Sequence, residues 1–298
     1  MLHNTILEMI GHTPMVRINH MVAKTGVEIF AKLEGQNPSG SIKDRIALAM
    51  IEQGEQEGKL TKEKIILEAT SGNTGIALAM IGTIKGYQVQ IVMSAAASLE
   101  RRKMIEAFGA TIILTDGALG TDGAIRYAQE LVRENPEKYF MPNQFSNEYN
   151  KLAHYRTTAQ EILQQMEGRI DYFVSSLGTS GTIMGVGKAL KDYDPHIKIV
   201  EAHPVKGHYI QGLKNLEEAL VPSIYDARLI DEKVMIESED AFAMARQIML
   251  QEGISVGMSS GAVMVAAREI AKKMTAAGRI VVIFPDRAEK YTSTNLFS

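Results

Sequence analysis

The chain has no cysteine and no tryptophan, only eight prolines, and just 6% aromatic residues among its 298 positions. Without cysteine there are no disulfides, no thiolate nucleophile and no thiolate-ligated metal, and a secreted origin gains no support. No block of basic residues occurs, and 32 Lys plus Arg against 35 Asp plus Glu leave a net charge of −3, which argues against nucleic acid as the main partner. No apolar run approaches the roughly 20 residues of a membrane helix. The opening residues Met1 to Glu8 lack both the basic start and the apolar core of a signal peptide. A cytoplasmic protein with no membrane partner is therefore expected. The seven histidines are scattered, with no i,i+4 pair and no acid cluster near them in sequence, so no metal site is expected. Hydrolase chemistry is left without a candidate nucleophile.

What is present is ordinary for a globular chain, 45% hydrophobic and 22% charged, long enough for one large core or two modest ones. Alternating patterns at residues 15–18 and 27–34 read as half-buried strands. Beyond them the periodicity switches repeatedly between helix and strand. Helices are expected over 42–54, 76–85, 99–108, 124–134, 152–166 and 241–252, with a further Ala-rich one after Gly261. Strands are expected at 65–67, 89–93, 111–114, 172–175, 197–200 and 280–283. The stretch 203–231 is irregular. This alternation implies an α/β fold with largely parallel sheets, helices on both faces, and ligands at the carboxyl ends of the strands, with a subdomain boundary near 141–147.

Four stretches carry candidate chemistry. In Asn37-Pro38-Ser39-Gly40-Ser41-Ile42-Lys43-Asp44, Ser41 is placed as an N-cap with Asp44 three residues on, so Lys43 falls in the first helical turn. The positive end of the helix dipole disfavours an ammonium there and favours the nucleophilic amine, although an isolated Lys at a helix start is more often a solvated surface residue. Gly178-Thr179-Ser180-Gly181-Thr182 stands between a strand and a helix N-terminus, a place suited to a phosphate and equally to a plain capped turn. It matches neither a nucleotide P-loop nor a dinucleotide fingerprint. Thr70-Ser71-Gly72-Asn73-Thr74-Gly75 has the same placement, and its amides suit a carboxylate while Asn73 offers both donor and acceptor. Ser259-Ser260-Gly261 precedes the Ala-rich helix and, taken alone, reads as a cap.

In combination and in this order, the four stretches resemble the cysteine synthase family of fold type II pyridoxal phosphate enzymes, from about Thr5 to Phe297. Lys32 to Gly35, Glu68 to Met80, and Asp286-Arg287 through Tyr291, Ser293 and Thr294 are most similar to its B branch of O-acetylserine sulfhydrylases. The resemblance implies pyridoxal 5'-phosphate bound covalently by Lys43, with Asn73 on its 3-hydroxyl, Gly178, Thr179, Ser180, Gly181 and Thr182 on its phosphate, and Ser259 at its pyridine nitrogen. Thr70, Ser71, Thr74 and Gln144 would hold the substrate carboxylate, and Gly212 and Lys214 would face the substrate. The implied reaction is β-replacement, giving L-cysteine from O-acetyl-L-serine and sulfide through an α-aminoacrylate, with Lys43 as the base. The implied architecture is a smaller mobile subdomain, 37–147, and a larger one, 1–36 plus 148–298, with the cofactor in the cleft between them. A homodimer is implied, with serine acetyltransferase or a sulfur-carrier protein as partners.

Gly212 to Glu218 also resembles the branch that uses O-phosphoserine, with Lys214 where that branch places Arg. An O-phosphoserine sulfhydrylase, a cystathionine β-synthase-like enzyme and a serine/threonine dehydratase are the alternatives on the same fold. A non-catalytic ligand-binding module would have no use for Lys43 beside the anion loops.

Overall fold

The computed structural model of the chain describes residues 2–22, 26–70 and 72–297. It opens with β1 (Met15–Ile18) and β2 (Val27–Leu33), paired antiparallel with Met15 opposite Lys32 and Ile18 opposite Ile29. Helix α1 (Lys43–Gln56) follows, then β3 (Ile65–Ala69), α2 (Asn73–Lys85), β4 (Val89–Ser94), α3 (Leu99–Ala107), β5 (Thr111–Thr115), α4 (Gly120–Glu134) and β6 (Tyr139–Phe140). These strands form a four-stranded, wholly parallel sheet in the order β5-β4-β3-β6. The chain returns through α5 (Glu148–Ala153) and α6 (Ala159–Gln165) to β7 (Tyr172–Ser176), α7 (Gly181–Tyr193), β8 (Lys198–Pro204), β9 (Glu232–Ile236), α8 (Ser238–Glu252), α9 (Met258–Lys273) and β10 (Gly278–Phe284). These later strands join the first two in a six-stranded sheet ordered β1-β2-β10-β7-β8-β9, parallel except at β1-β2. The expected α/β architecture of two largely parallel sheets is what forms.

Each sheet is covered on both faces, which explains the unbroken apolar runs of its inner strands. Along β10, Ile280 and Val282 pack with Ala31, Val263 and Ala267 on one face, while Val281 and Ile283 pack with Phe173, Ile183 and Ile199 on the other. Successive side chains of a strand point to opposite faces, so one apolar run feeds two cores. The smaller sheet repeats the scheme, with Ile66 and Ile91 beneath Ile76 and Leu78 of α2, and Leu67 and Val92 against Ala124 and Ile125 of α4. Helix α2 is buried from Thr74 through Gly82, which is why its sequence is apolar all round, and it stops at Gly86, whose φ of +72° supplies the left-handed C-cap.

Several segments differ from the sequence expectation, among them the short strand β6 and α9, which starts at Met258 rather than after Gly261. β9 was not anticipated: its Glu-Lys-Val-Met-Ile pattern is that of a half-exposed edge strand, and Met235 is 52% exposed. The helix expected from about Leu152 starts at Glu148, capped by the Asn147 side chain on the Tyr149 amide, and is interrupted by a π-helical turn at His154–Thr158. Helix α2 begins at Asn73 rather than Ile76, so part of the expected loop is helical. The irregular stretch after β8 is pinned to the core by Ile210, Leu213 and Ile224, all buried. Among the described residues, no helix is long and apolar enough to cross a membrane.

Candidate active site

A cleft lies between the two sheets, walled by Thr70 after β3, by Ser175 and Ser176 ending β7, and by Pro285 and Asp286 after β10. These are carboxyl ends of parallel strands, where α/β folds place their ligands. Lys43, Thr70, Asn73, Thr74 and Gln144 line it, as do Gly178, Thr179, Ser180, Thr182, Gly212, Lys214 and Ser259. Gly181 opens α7 directly behind this wall. Ser71 lies outside the described residues.

Lys43 is the first residue of α1, but the local reason differs from the expected capping box. Ile42 precedes the helix in αR geometry, and Ser41 Oγ accepts the Lys43 amide at 3.3 Å. Asp44 turns back instead to Ser39, accepting its amide at 2.7 Å and its hydroxyl. Ser41 also forms an isolated β-bridge with Asp286, and the Ile42 amide donates to Pro285 O at 2.9 Å. The lysine turn is thus stitched to the end of β10. Burial lowers the Lys43 amine to about 8, against the opposing pull of the Asp286 carboxylate. Desolvation, rather than the helix dipole alone, makes the neutral amine accessible. Two residues on, Arg45 is buried in a network with Glu34 (2.7 Å) and Glu161 (2.7 Å), which fixes the helix that carries Lys43.

The loop 178–182 has the form of an anion cradle. Ser180 sits at φ +69°, and the chain then enters α7, whose first-turn amides have no partner within the helix. A Cβ on Gly178 would come 2.5 Å from Gly212 O, and one on Gly181 would come 1.8 Å from Asn150 Oδ1, so these close approaches require glycine. From α5, Asn150 Nδ2 donates to Thr179 Oγ1 at 3.0 Å and to Gln144 O at 2.7 Å. Behind them, buried His154 bonds Thr182 Oγ1 at 3.2 Å and Thr158 Oγ1 at 2.9 Å, and is held neutral by burial and by the nearby Lys43 and Arg45. The Ser180 hydroxyl is buried without a protein partner, as a phosphate ligand would be.

Opposite this cradle, Thr74 Oγ1 donates to Gln144 Oε1 at 2.6 Å, Gln144 Nε2 donates to Ala69 O at 3.0 Å, and the Gly72 amide donates to Thr70 Oγ1 at 3.1 Å. The segment carrying Gln144 is held by the Asn143 amide on Glu68 Oε2 at 2.7 Å, and burial raises the Glu68 carboxyl to about 8. Ser259 lies in the first turn of α9, 5% exposed, and that helix has no side-chain cap, so its hydroxyl is not spent as the cap its sequence suggested. Lys214 is not a free cation: Nζ is 2.7 Å from Asp122 Oδ1 and 4.9 Å from the Phe145 ring.

Sequence reasoning missed several groups as parts of one site. Arg101 lines the cleft and lies over the Tyr291 ring, against the backbone of Gly72. Asp286, Lys290 and Tyr291 surround Asn73, and Asn150 and His154 stand behind the cradle. Only the fold unites them, since 213 positions separate Asn73 from Asp286. The histidine expectation also needs amendment. His208, Glu237 and Glu239 bring ligand atoms within 4.8 Å of one another, the acids coming from the N-terminal end of α8. The Ser238 amide donates to His208 Nδ1 at 3.1 Å, however, so that nitrogen is used in holding the helix start.

An anion cradle with an orphaned hydroxyl, a lysine amine of lowered pKa and a polar loop at a second helix start fit pyridoxal 5'-phosphate. The chain belongs to the family of pyridoxal-phosphate dependent enzymes, whose model matches residues 6–286. Within it, a cysteine synthase of Aquifex aeolicus is 46% identical, covering 99% of this chain and 92% of its own. A cysteine synthase of Staphylococcus aureus is 41% identical, covering 99% and 97%. An O-acetyl serine sulfhydrylase isoform 3 from Entamoeba histolytica superposes with a TM-score of 0.92 at 40% identity, over 100% of this chain and 92% of its own. The cofactor of this enzyme is pyridoxal phosphate.

Proposed function

We propose that the enzyme forms L-cysteine by β-replacement, taking O-acetyl-L-serine as the amino-acid substrate and sulfide as the incoming nucleophile. The observation that supports this most is Lys43, an amine brought near pH 8 by burial, facing the anion cradle across one cleft. Lys43 would hold the cofactor, Gly178 to Thr182 its phosphate, Asn73 its phenolic oxygen and Ser259 its ring nitrogen. When bound, pyridoxal phosphate draws electron density from the substrate α-carbon, which acidifies the α-proton and loosens the β-substituent. A hydroxyl at the ring nitrogen, rather than a carboxylate, limits that withdrawal and so favours loss of a β-substituent over transamination.

The other steps fall to the chain's own groups. The neutral Nζ of Lys43 takes the α-proton, which needs the unprotonated form that burial provides. The amides of residues 70–75 and the paired Thr74 and Gln144 side chains hold the substrate carboxylate, fixing which face of the α-carbon meets Lys43. Residues 37–147 form the moving subdomain against 1–36 plus 148–298, closing when the carboxylate engages the 70–75 loop and so excluding water. The assembly proposed is a homodimer, and serine acetyltransferase or a sulfur-carrier protein is the partner class to test.

Incubation with sulfide and either O-acetyl-L-serine or O-phospho-L-serine, with L-cysteine measured by mass spectrometry, tests this reading. Turnover confined to the phosphate ester overturns the choice of substrate. A solved relative at 38% identity and TM-score 0.93 is an O-ureido-L-serine synthase, so a parallel incubation with hydroxyurea in place of sulfide should be examined for O-ureido-L-serine.

A further inference from the structure

Asn73 is held from two sides by groups that have no freedom of role. Its Nδ2 donates to Asp286 Oδ2 at 2.6 Å, and its Oδ1 accepts from Lys290 Nζ at 3.1 Å. A carboxylate can only accept and an ammonium can only donate. An amide flipped by half a turn would set its oxygen against the carboxylate and its NH₂ against the ammonium. Charge therefore decides the orientation. Both anchors are about 1% exposed, and Tyr291, equally buried, donates its hydroxyl to the same Asp286 oxygen at 2.7 Å. With one N–H used on Asp286, the second N–H is left for the cleft that Asn73 lines.

We propose that Asp286 and Lys290 are positioning residues that fix the Asn73 amide so that the cleft receives an N–H donor, holding the cofactor's phenolic oxygen as an anion. This rests on the assignment of Asn73 to that oxygen in the function proposed above. A donor stabilises an ionised acceptor more than a neutral hydroxyl, whereas an amide free to turn could offer its oxygen and hold the neutral form. Lys290 has a further use, because Nζ also donates to Ser39 O and Gly40 O, each at 3.0 Å, in the turn that leads to Lys43. One buried ammonium thus sets both the donor at position 73 and the approach of the base. Lys43 and Asn73 keep their relative placement through it.

The test has a cofactor-free arm and a cofactor-loaded arm. In cofactor-free protein, the side-chain amide protons of Asn73 should resonate far apart in a nitrogen-15 correlation spectrum, one of them shifted by the carboxylate, and should draw together in Asp286→Asn. In loaded protein, Asp286→Asn and Lys290→Met should raise the pH at which the cofactor absorbance reports an ionised phenolic oxygen. Both should weaken cofactor retention about three- to tenfold, the range of one hydrogen bond. Lys290→Gln, which keeps an N–H without the charge, should recover part of the spectrum. In an Asn73→Ala background, where only the direct field of Asp286 on Lys43 remains, adding Asp286→Asn should shift the spectrum less than it does in wild type. Unchanged amide signals in Asp286→Asn overturn the clamp, as does a spectral shift from Asp286→Asn that is equally large without Asn73. If Lys290→Met fails to fold, the near-isosteric Asp286→Asn carries the test. A wild-type protein that takes up no pyridoxal phosphate overturns the functional reading instead, and the cofactor-free spectrum still decides the clamp.

Discussion

Lys214 Nζ lies 2.7 Å from Asp122 Oδ1, joining the irregular stretch after β8 to the first turn of α4 on the opposite wall of the cleft. Asp122 Oδ2 also accepts the Leu220 amide at 2.9 Å, so one carboxylate holds two points of that stretch. The attraction to Lys214 keeps the Asp122 carboxyl below its ordinary range, even though burial acts the other way. A cation already matched in this way has little charge to spare for a substrate anion. Its evident work is to tie the two walls together.

Lys214→Ala should therefore change kcat/KM for O-acetyl-L-serine by less than about tenfold, with stability lowered by about 1 kcal/mol, as for a partly exposed pair. Asp122→Asn should resemble it in both respects. If Lys214 served instead as the buried partner of a substrate phosphate, its loss would cost about 2 to 5 kcal/mol with O-phospho-L-serine while Asp122→Asn improved binding. Steady-state kinetics with both esters, at low and high salt, separate the two cases.

The Lys43 amine, lowered to about 8 by burial, predicts a pH dependence of its own. Its neutral fraction grows as pH rises toward and past about 8, so the rate at which cofactor-free protein takes up pyridoxal phosphate covalently should rise through that range and then level off. Asp286 opposes the lowering, so Asp286→Asn should move the midpoint to lower pH. Borohydride reduction followed by mass spectrometry counts the attached cofactor, and Lys43→Ala should show none while keeping its circular dichroism. A midpoint near 10.5, the ordinary value for lysine, would contradict the burial account.

Much of this was readable from the sequence because strand-loop-helix transitions with Gly, Ser and Thr are local signals. The stretches 70–75 and 178–182 and the turn before Lys43 are each announced by a few adjacent residues, although the fold then anchors the Lys43 turn to the end of β10. The clamp on Asn73 was not readable in that way. Lys290 looks like any charged residue in Glu289-Lys290-Tyr291, and only the return of the chain after β10 buries it against a turn 250 positions away. The π-helical turn at His154–Thr158 was hidden for a related reason, since its register serves the contact between His154 and Thr182 in another element. β9 escaped because an edge strand needs only one buried face and so carries a weaker pattern.

Glu68 allows a test of stability. Burial raises its carboxyl from 4.5 to about 8, so the folded protein keeps a proton there that the unfolded chain gives up at lower pH. Any stabilisation from the neutral form is complete below about pH 4.5 and is lost as pH climbs to about 8, beyond which the folded protein bears a buried charge. Glu68→Gln keeps the shape and cannot ionise. It should raise the melting temperature relative to wild type above neutral pH, with the gap narrowing toward pH 5. Equal pH profiles for the two proteins would show that Glu68 is ionised in the fold without penalty.

The last prediction concerns Gly181, where the cradle meets α5. A methyl group there would sit 1.8 Å from Asn150 Oδ1, so Gly181→Ala must displace Asn150, and Asn150 is the residue that links Thr179 Oγ1 to Gln144 O. Overpacking of this kind costs about 1 to 3 kcal/mol of stability. The larger consequence is for binding, because the displaced Asn150 releases both the phosphate cradle and the segment that carries Gln144. Cofactor-free Gly181→Ala should thus gain a smaller rise in melting temperature on adding pyridoxal phosphate than wild type does, since that rise follows the ratio of ligand concentration to dissociation constant. Gly117→Ala is the control, because a Cβ there meets its nearest neighbour at an ordinary 3.5 Å. The pairing of residues 181 and 150 can be tested further. Asn150→Ala makes room for the new methyl group, so the double variant should lose less than the sum of the two single variants, the non-additivity expected of residues in contact. Strict additivity, with a normal response to pyridoxal phosphate in Gly181→Ala, would mean that Asn150 does not support the cradle.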